Sequence, residues 1–347
     1  ILHVLGNRFR WSAETKRKGV HISLGLVCLS FPWLFEVSWP VTVLAIVAIA
    51  ALALLRFVPQ LRTGVASDLH GIDRFSIGEL FFPVVVAWCF YYSGGDRILY
   101  IVPVAVLTLA DAGGALMGVR FGTRKFSTLG FGKSIEGSLT FFLVAVLCVL
   151  VPLRILTDIP FTNALVIACI LAGLATLVEG FASHGSDNLL LPIACLLILE
   201  VFLTLPFDAL LLRLGILAVL LPAFCYLSRF STLDGGGVLG TILYTYACYA
   251  LGNLSFLIAA LAFYALFLAT SFYVRRQREV VHGVHTVALF SLVSLLWLSL
   301  HRAGVLQTET ALRCFLFGLA AQIAFMHCGA MIFLSKPKRC YPFALLK

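Results

Sequence analysis

Apolar runs of about 16 to 25 residues recur along almost the whole of this 347-residue chain, and no other feature restricts its fold as strongly. A helix needs about 20 apolar residues to cross the hydrocarbon of a bilayer. Hydrocarbon offers no water to unpaired backbone groups, so only helices and closed barrels span it. Barrel strands would read as short alternating segments. These runs are continuous, so the expected class is all-α, a polytopic integral membrane protein. Charged residues make up 12% and mean hydropathy is +1.04. A soluble domain carries about 25% charged residues.

Spans are predicted at 20–35, 41–57, 80–95, 98–119, 137–153, 161–179, 189–206, 209–228, 237–252, 254–274, 284–301 and 310–334. That is about 12 transmembrane helices. The pair 189–228 carries Pro192, Pro206 and Pro222 and also reads as a broken or re-entrant segment. With links alternating sides, every Lys and Arg except Arg97, Arg154, Arg213, Arg302 and Arg313 falls on one face. The positive-inside rule makes that face cytoplasmic, with both termini on it. The net charge of +9 follows from this bias and calls for no nucleic acid. Cysteines such as Cys89, Cys148 and Cys195 lie inside apolar runs without CxxC or zinc spacing and read as small buried residues. The basic start does not read as a cleavable leader. The polar turn 228–238 is the expected boundary between a domain at 1–228 and further helices at 229–347.

The chemistry concentrates between Leu109 and Ser138, where two acids, four basic residues and a run of glycines interrupt the apolar pattern. Charge costs roughly 2.5–3.5 kcal/mol at a helix centre, so such residues are candidates for function. Asp111 reads as a snorkelling helix-end acid or as a ligand to Mg²⁺, which takes one or two carboxylates plus substrate phosphates. Gly114 and Gly118 form a small-xxx-small pair that admits a neighbouring helix or a ligand. Arg120, Arg124, Lys125 and Lys133 serve either as cytoplasmic decoration or, interleaved with Gly122, Gly130 and Gly132, as a phosphate cradle. Ser134 is placed to cap the fifth span, with its amides facing an anion. Ser127 stands where a Walker P-loop needs glycine, so this is no Walker motif.

A second cluster closes the sixth span and opens the seventh: Glu179, then Ser183, His184, Gly185, Ser186, Asp187 and Asn188. With no basic partner in the loop, its acids read either as a solvated connection with Asp187 or Asn188 as cap, or as a second metal or base contribution. A third group comprises Arg17, Lys18 and His21, with Arg74, Ser76, Gly78 and Glu79. Lys18 and His21 share a helix face at i, i+3 and suit membrane-surface anchoring as well as catalysis. Glu79 sits at the mouth of a span. Glu200 lies toward the other face and reads as structural.

At these residues the chain resembles the CTP-dependent lipid-alcohol kinases, phytol kinase and dolichol kinase, which are related to the phosphatidate cytidylyltransferases. The motifs are RKGVHISLG (17–25), RFSIGELFFP (74–83), ADAGGALMGVRFG (110–122), GKSIEGS (132–138) and ATLVEGFASHGSDNLLLP (175–192). They keep the family's order across residues 15–205, and the last is nearer phytol kinase. Ala110, Gly132 and Ser186 stand where the family has a glycine, a basic residue and an acid. From about residue 230 the chain is distantly similar to the family that includes phytyl-phosphate kinase, with Phe325 and Met326 near where that family has Asp-Thr.

The resemblance implies phosphoryl transfer from CTP to a long-chain isoprenoid alcohol of phytol, geranylgeraniol or farnesol type, giving CDP and a prenyl phosphate. It implies Mg²⁺ on Asp111, Asp187 and Glu179. CTP contacts would come from Arg120, Gly122, Lys125, Lys133, Ser134, Glu136 and Asn188. Glu79, His21 or Glu179 would be the base, beside Asp111 in catalysis. The alcohol would enter from membrane lipids, and the active face would be cytoplasmic or stromal in a bacterial, plastid or endoplasmic reticulum membrane. Cytidylyl transfer to a lipid phosphate and a membrane transporter are the rival readings. Transporter sites lie near the midplane, whereas these polar residues crowd onto one face.

Overall fold

Each of the twelve apolar segments is helical, as the demand for internally satisfied backbone requires. The computed structural model describes residues 12–57, 78–128, 131–182, 185–277 and 281–335. Arg74, Ser76, Gly130, Ser183 and His184 lie outside them. The helices are α1 (Ala13–Leu29), α2 (Phe31–Leu34), α3 (Trp39–Phe57), α4 (Gly78–Tyr92) and α5 (Arg97–Ala105). A π-helical turn, Val106–Ala110, carries α5 into α6 (Asp111–Phe121). Then come α7 (Ile135–Leu156), α8 (Phe161–Phe181), α9 (Asp187–Leu203) and α10 (Phe207–Leu227). The last are α11 (Gly235–Ala247), α12 (Leu254–Gln277), α13 (Val284–Arg302) and α14 (Thr308–Ser335).

Among the described residues, seven helical runs are long and apolar enough to cross a membrane: Arg97–Phe121, Ile135–Leu156, Phe161–Phe181, Phe207–Phe230, Leu254–Val274, Val284–Arg302 and Thr308–Ile332. The segments at 189–206 and 209–228 form two helices joined at Pro206, while Pro192 and Pro222 sit inside them. The all-α expectation needs one correction. Strands β1 (Lys125–Thr128) and β2 (Phe131–Ser134) pair between α6 and α7. Four-residue strands are too short for an alternation signal to stand out among glycines and basic residues.

The described chain forms two compact units, Ile1–Phe126 with Lys133–Leu214 and Ser127–Gly132 with Gly215–Lys347. In the first, α7 packs along α6 and α8, and α5 with the π turn is buried almost throughout, the burial continuing to Asp111 and Ala112 of α6. The opposite face of α7 shows Leu139, Leu143, Leu147, Val151 and Ile155, spaced by four and each about half exposed or more. An outward apolar stripe of that kind belongs in lipid, since water-soluble monomers rarely carry a large one. In the second unit, Tyr244, Cys248, Phe256, Ala260, Leu298 and Phe315 form a core. Local signals start the helices: Ser12, Asp96, Ser134 and Asp234 each accept a backbone amide at a helix N-terminus. The described cysteines are free thiols.

Candidate active site

The π turn ends at Asp111, whose carboxylate is only 7% exposed. Single π turns inside α-helices mark functional positions more often than chance. A buried carboxylate needs a counter-charge, and Lys18 of α1 supplies it. Its Nζ donates to Asp111 Oδ2 at 2.6 Å, and both side chains are more than nine-tenths buried. His21, one turn along α1, places Nε2 3.0 Å from the Leu107 carbonyl and 3.7 Å from Asp111 Oδ2. Both neighbours are acceptors, so the hydrogen is assigned to Nε2 and Nδ1 is left as the basic nitrogen. The imidazole meets the Phe82 ring edge-on at 5.0 Å between centroids.

Two close approaches hold this arrangement. A side chain at Gly25 would place its Cβ 2.1 Å from Thr108 Oγ1, so glycine lets α1 lie directly on the π turn. The second is the crossing of α6 and α7. A Cβ on Gly137 would come 2.9 Å from the Gly114 carbonyl and 3.1 Å from Gly118 Cα. The small-xxx-small pair thus brings a helix close, in line with the packing alternative in the sequence.

At the end of that crossing, Ser134 caps α7 by accepting the Gly137 amide at 3.1 Å. Glu136 accepts from Thr123 Oγ1 at 2.6 Å and from the Arg124 amide at 3.2 Å, pinning the segment after α6. Lys133 Nζ donates to Glu179 Oε1 at 2.7 Å and also to the Glu179 carbonyl. Glu179 is within electrostatic reach of Asp111 and Asp187. Asn188 Nδ2 donates to the Gly78 carbonyl at 2.8 Å, tying the starts of α9 and α4 together. Arg120, Arg124 and Lys125 are exposed. Glu79, in the first turn of α4, lies within electrostatic reach of Arg17.

Several expectations change. Lys18 is a buried ion-pair partner, not a surface anchor. Glu179 has a basic partner after all, supplied by Lys133 from an element far away in sequence. The cap of α9 is Ser186 rather than Asp187 or Asn188. Glu136 braces the loop beside it. Among the described residues, no three His, Cys, Asp or Glu side chains converge as a metal-binding group. Mg²⁺ held largely by substrate phosphates needs only one or two carboxylates, so Asp111 and Glu179 fit that mode and a three-ligand cage does not. The sequence reading missed the Leu107 carbonyl and the π turn, for which no residue pattern exists. The partnership of Lys18 with Asp111 had one signal: an intramembrane acid without a local counter-ion. Glu200 accepts from the Tyr92 hydroxyl at 3.0 Å, at the ends of α9 and α4 away from Asn188 and Gly78.

No family model and no solved structure matches the chain. It is 34% identical over 191 residues to phytol kinase from Synechocystis sp., a match covering 54% of this chain and 78% of that protein.

Proposed function

The chain belongs to the phytol kinase family, and from that membership we propose that it transfers the γ-phosphoryl group of CTP to a long-chain isoprenoid alcohol, releasing CDP and a prenyl phosphate. The observation that carries the reading is a pair of carboxylates, Asp111 and Glu179, each inside a membrane-length helix and each held by a lysine from another element. Phosphoryl transfer depends on positioning and charge neutralisation rather than covalent chemistry. Lys18 and Lys133 are suited to exchange their carboxylate partners for phosphate oxygens. Asp111 and Glu179 would then hold Mg²⁺, which supplies further neutralisation of the phosphates. Arg120, Arg124 and Lys125, exposed beside the strand pair, offer the nucleotide its first counter-charge.

His21 is the proposed base. Its Nε2 faces the Leu107 carbonyl and Asp111, which orient the ring, and Nδ1 is left to take the proton of the alcohol. Asp187, Glu79 and Asn188 stand around this centre in supporting roles, with Asn188 fixing α4 to α9. The alcohol reaches the site laterally from lipid. The charge bias along the sequence supports twelve spans with both termini and the active face on the cytoplasmic or stromal side. Residues 1–228 would form the kinase module and 229–347 an additional membrane module.

Purified protein in lipid with Mg²⁺, a panel of prenols and γ-labelled CTP tests the reading, with ATP in parallel. Label in a prenyl phosphate with release of CDP is expected. Release of pyrophosphate instead would assign cytidylyl transfer, and absence of transfer from a folded protein would overturn the kinase reading.

A further inference from the structure

Lysines close both carboxylates to which the kinase reading gives the metal. Lys18 Nζ lies 2.6 Å from Asp111 Oδ2, and Lys133 Nζ lies 2.7 Å from Glu179 Oε1. The first pair is more than nine-tenths buried, and the second is mostly buried. Lys133 also donates to the Glu179 carbonyl, so its ammonium is held at two points. The lysines come from α1 and β2, the acids from α6 and α8, and all four lie in the first compact unit. Each closure is therefore made by tertiary packing, not by a neighbour along the chain.

The two ion pairs balance their own charge. Displacing either lysine with a divalent cation alone would strand a largely buried ammonium, and an unpaired charge of that kind is costly. Drawing the lysines off with a polyphosphate alone would leave Asp111 and Glu179 facing phosphate, like charge against like. When both ligands arrive, no charge is stranded. Each ammonium passes to a phosphate oxygen, and each carboxylate passes to the cation. Lysine suits such an exchange, because its ammonium is a compact point charge on a flexible stem. An arginine in its place would grip the carboxylate with a planar, two-pronged fork and release it less readily.

We propose that Lys18 and Lys133 form an autoinhibitory latch: they hold the metal-binding carboxylates shut until a nucleotide polyphosphate draws them off, so that cation and nucleotide bind as a coupled pair. The proposal rests on the kinase reading and deepens it by naming what controls access to the site. The coupling is reciprocal, and ligands linked through one protein typically shift each other's affinity about 5–150-fold.

Binding to the full chain in phosphatidylcholine nanodiscs tests it. The cation is Mn²⁺, read by electron paramagnetic resonance. The nucleotide is radiolabelled β,γ-methylene-CTP, which cannot be transferred, with allowance for the complex the two form in solution. Nucleotide affinity should rise at least about fivefold when Mn²⁺ is added. Lys133→Met opens Glu179 and should tighten Mn²⁺ alone roughly tenfold while weakening the nucleotide. Lys18→Met should act in the same direction at Asp111. The two pairs are tested separately, so failure of one variant to fold leaves the other to decide. Glu179→Gln frees Lys133 and should tighten the nucleotide measured without metal. Arg124→Met removes a positive charge but opens neither pair, so at 0.15 M salt, where exposed charges are largely screened, Mn²⁺ alone should bind within about twofold of wild type. Equal nucleotide affinity with and without Mn²⁺ would overturn the latch, as would Mn²⁺ binding no tighter in the lysine variants or tightened equally by Arg124→Met. Prenol phosphorylation alongside any of those results leaves the kinase reading standing and the latch refuted. A folded wild type that binds neither ligand, even together, refutes both.

Discussion

Removing one partner of the Lys18–Asp111 pair should destabilise the protein in a way that identifies which charge is left. The two groups are 2.6 Å apart and more than nine-tenths buried. Breaking such a pair costs about 3–5 kcal/mol, while replacing both members by apolar residues is close to neutral. An upper bound follows from neutralising the orphan. Deprotonating a lysine of ordinary pKa 10.4 at pH 7 costs about 4.6 kcal/mol, and protonating an aspartate of 3.9 costs about 4.2 kcal/mol. His21 breaks this near-symmetry. At 3.7 Å from Asp111 Oδ2, it can take a proton and replace Lys18 as counter-ion. Protonating an imidazole costs less at pH 7 than protonating a carboxylate, because its reference value lies nearer neutrality. Asp111→Leu, which strands Lys18, should therefore cost more than Lys18→Met. The pH dependences are opposite in sign. The Asp111→Leu deficit should shrink as pH rises, by up to about 1.4 kcal/mol per unit, because the stranded ammonium is more easily neutralised. The Lys18→Met deficit should shrink as pH falls and His21 or Asp111 takes up a proton. Reversible unfolding in mixed micelles between pH 6 and 9 measures both, and the double variant should recover to within about 1 kcal/mol of wild type while phosphorylating no prenol. Equal single-variant costs, parallel pH slopes or a double variant no better than the worse single would refute the reasoning.

Three further outcomes are expected. Gly25→Ala drives a methyl into Thr108 and should cost about 1–3 kcal/mol, with partial rescue by Thr108→Ala, read from the same unfolding assay. Lys133→Met removes the ammonium aimed at Glu179 and, under the kinase reading, should lower turnover roughly 10²–10³-fold, with Lys133→Arg retaining more activity than Lys133→Met. Tyr92→Phe breaks the exposed contact with Glu200 at the other end of α4 and should leave turnover within about twofold, a control for effects unrelated to the site.

Much of this molecule was legible in its sequence, for a local reason. Helix class follows from runs of apolar residues that no water can solvate, and Ser134 as the cap of α7 follows from chemistry within three residues. Gly114 and Gly118 offered a close approach to a helix or a ligand, and α7 takes it at Gly137. What the sequence left open was which charge meets which. Lys18 and Asp111 are 93 residues apart, and Lys133 and Glu179 are 46 apart. Periodicity gives each its helix face but not the face it meets. The identity of a buried counter-ion is fixed only when helices pack and desolvation makes an unpaired charge too costly to keep.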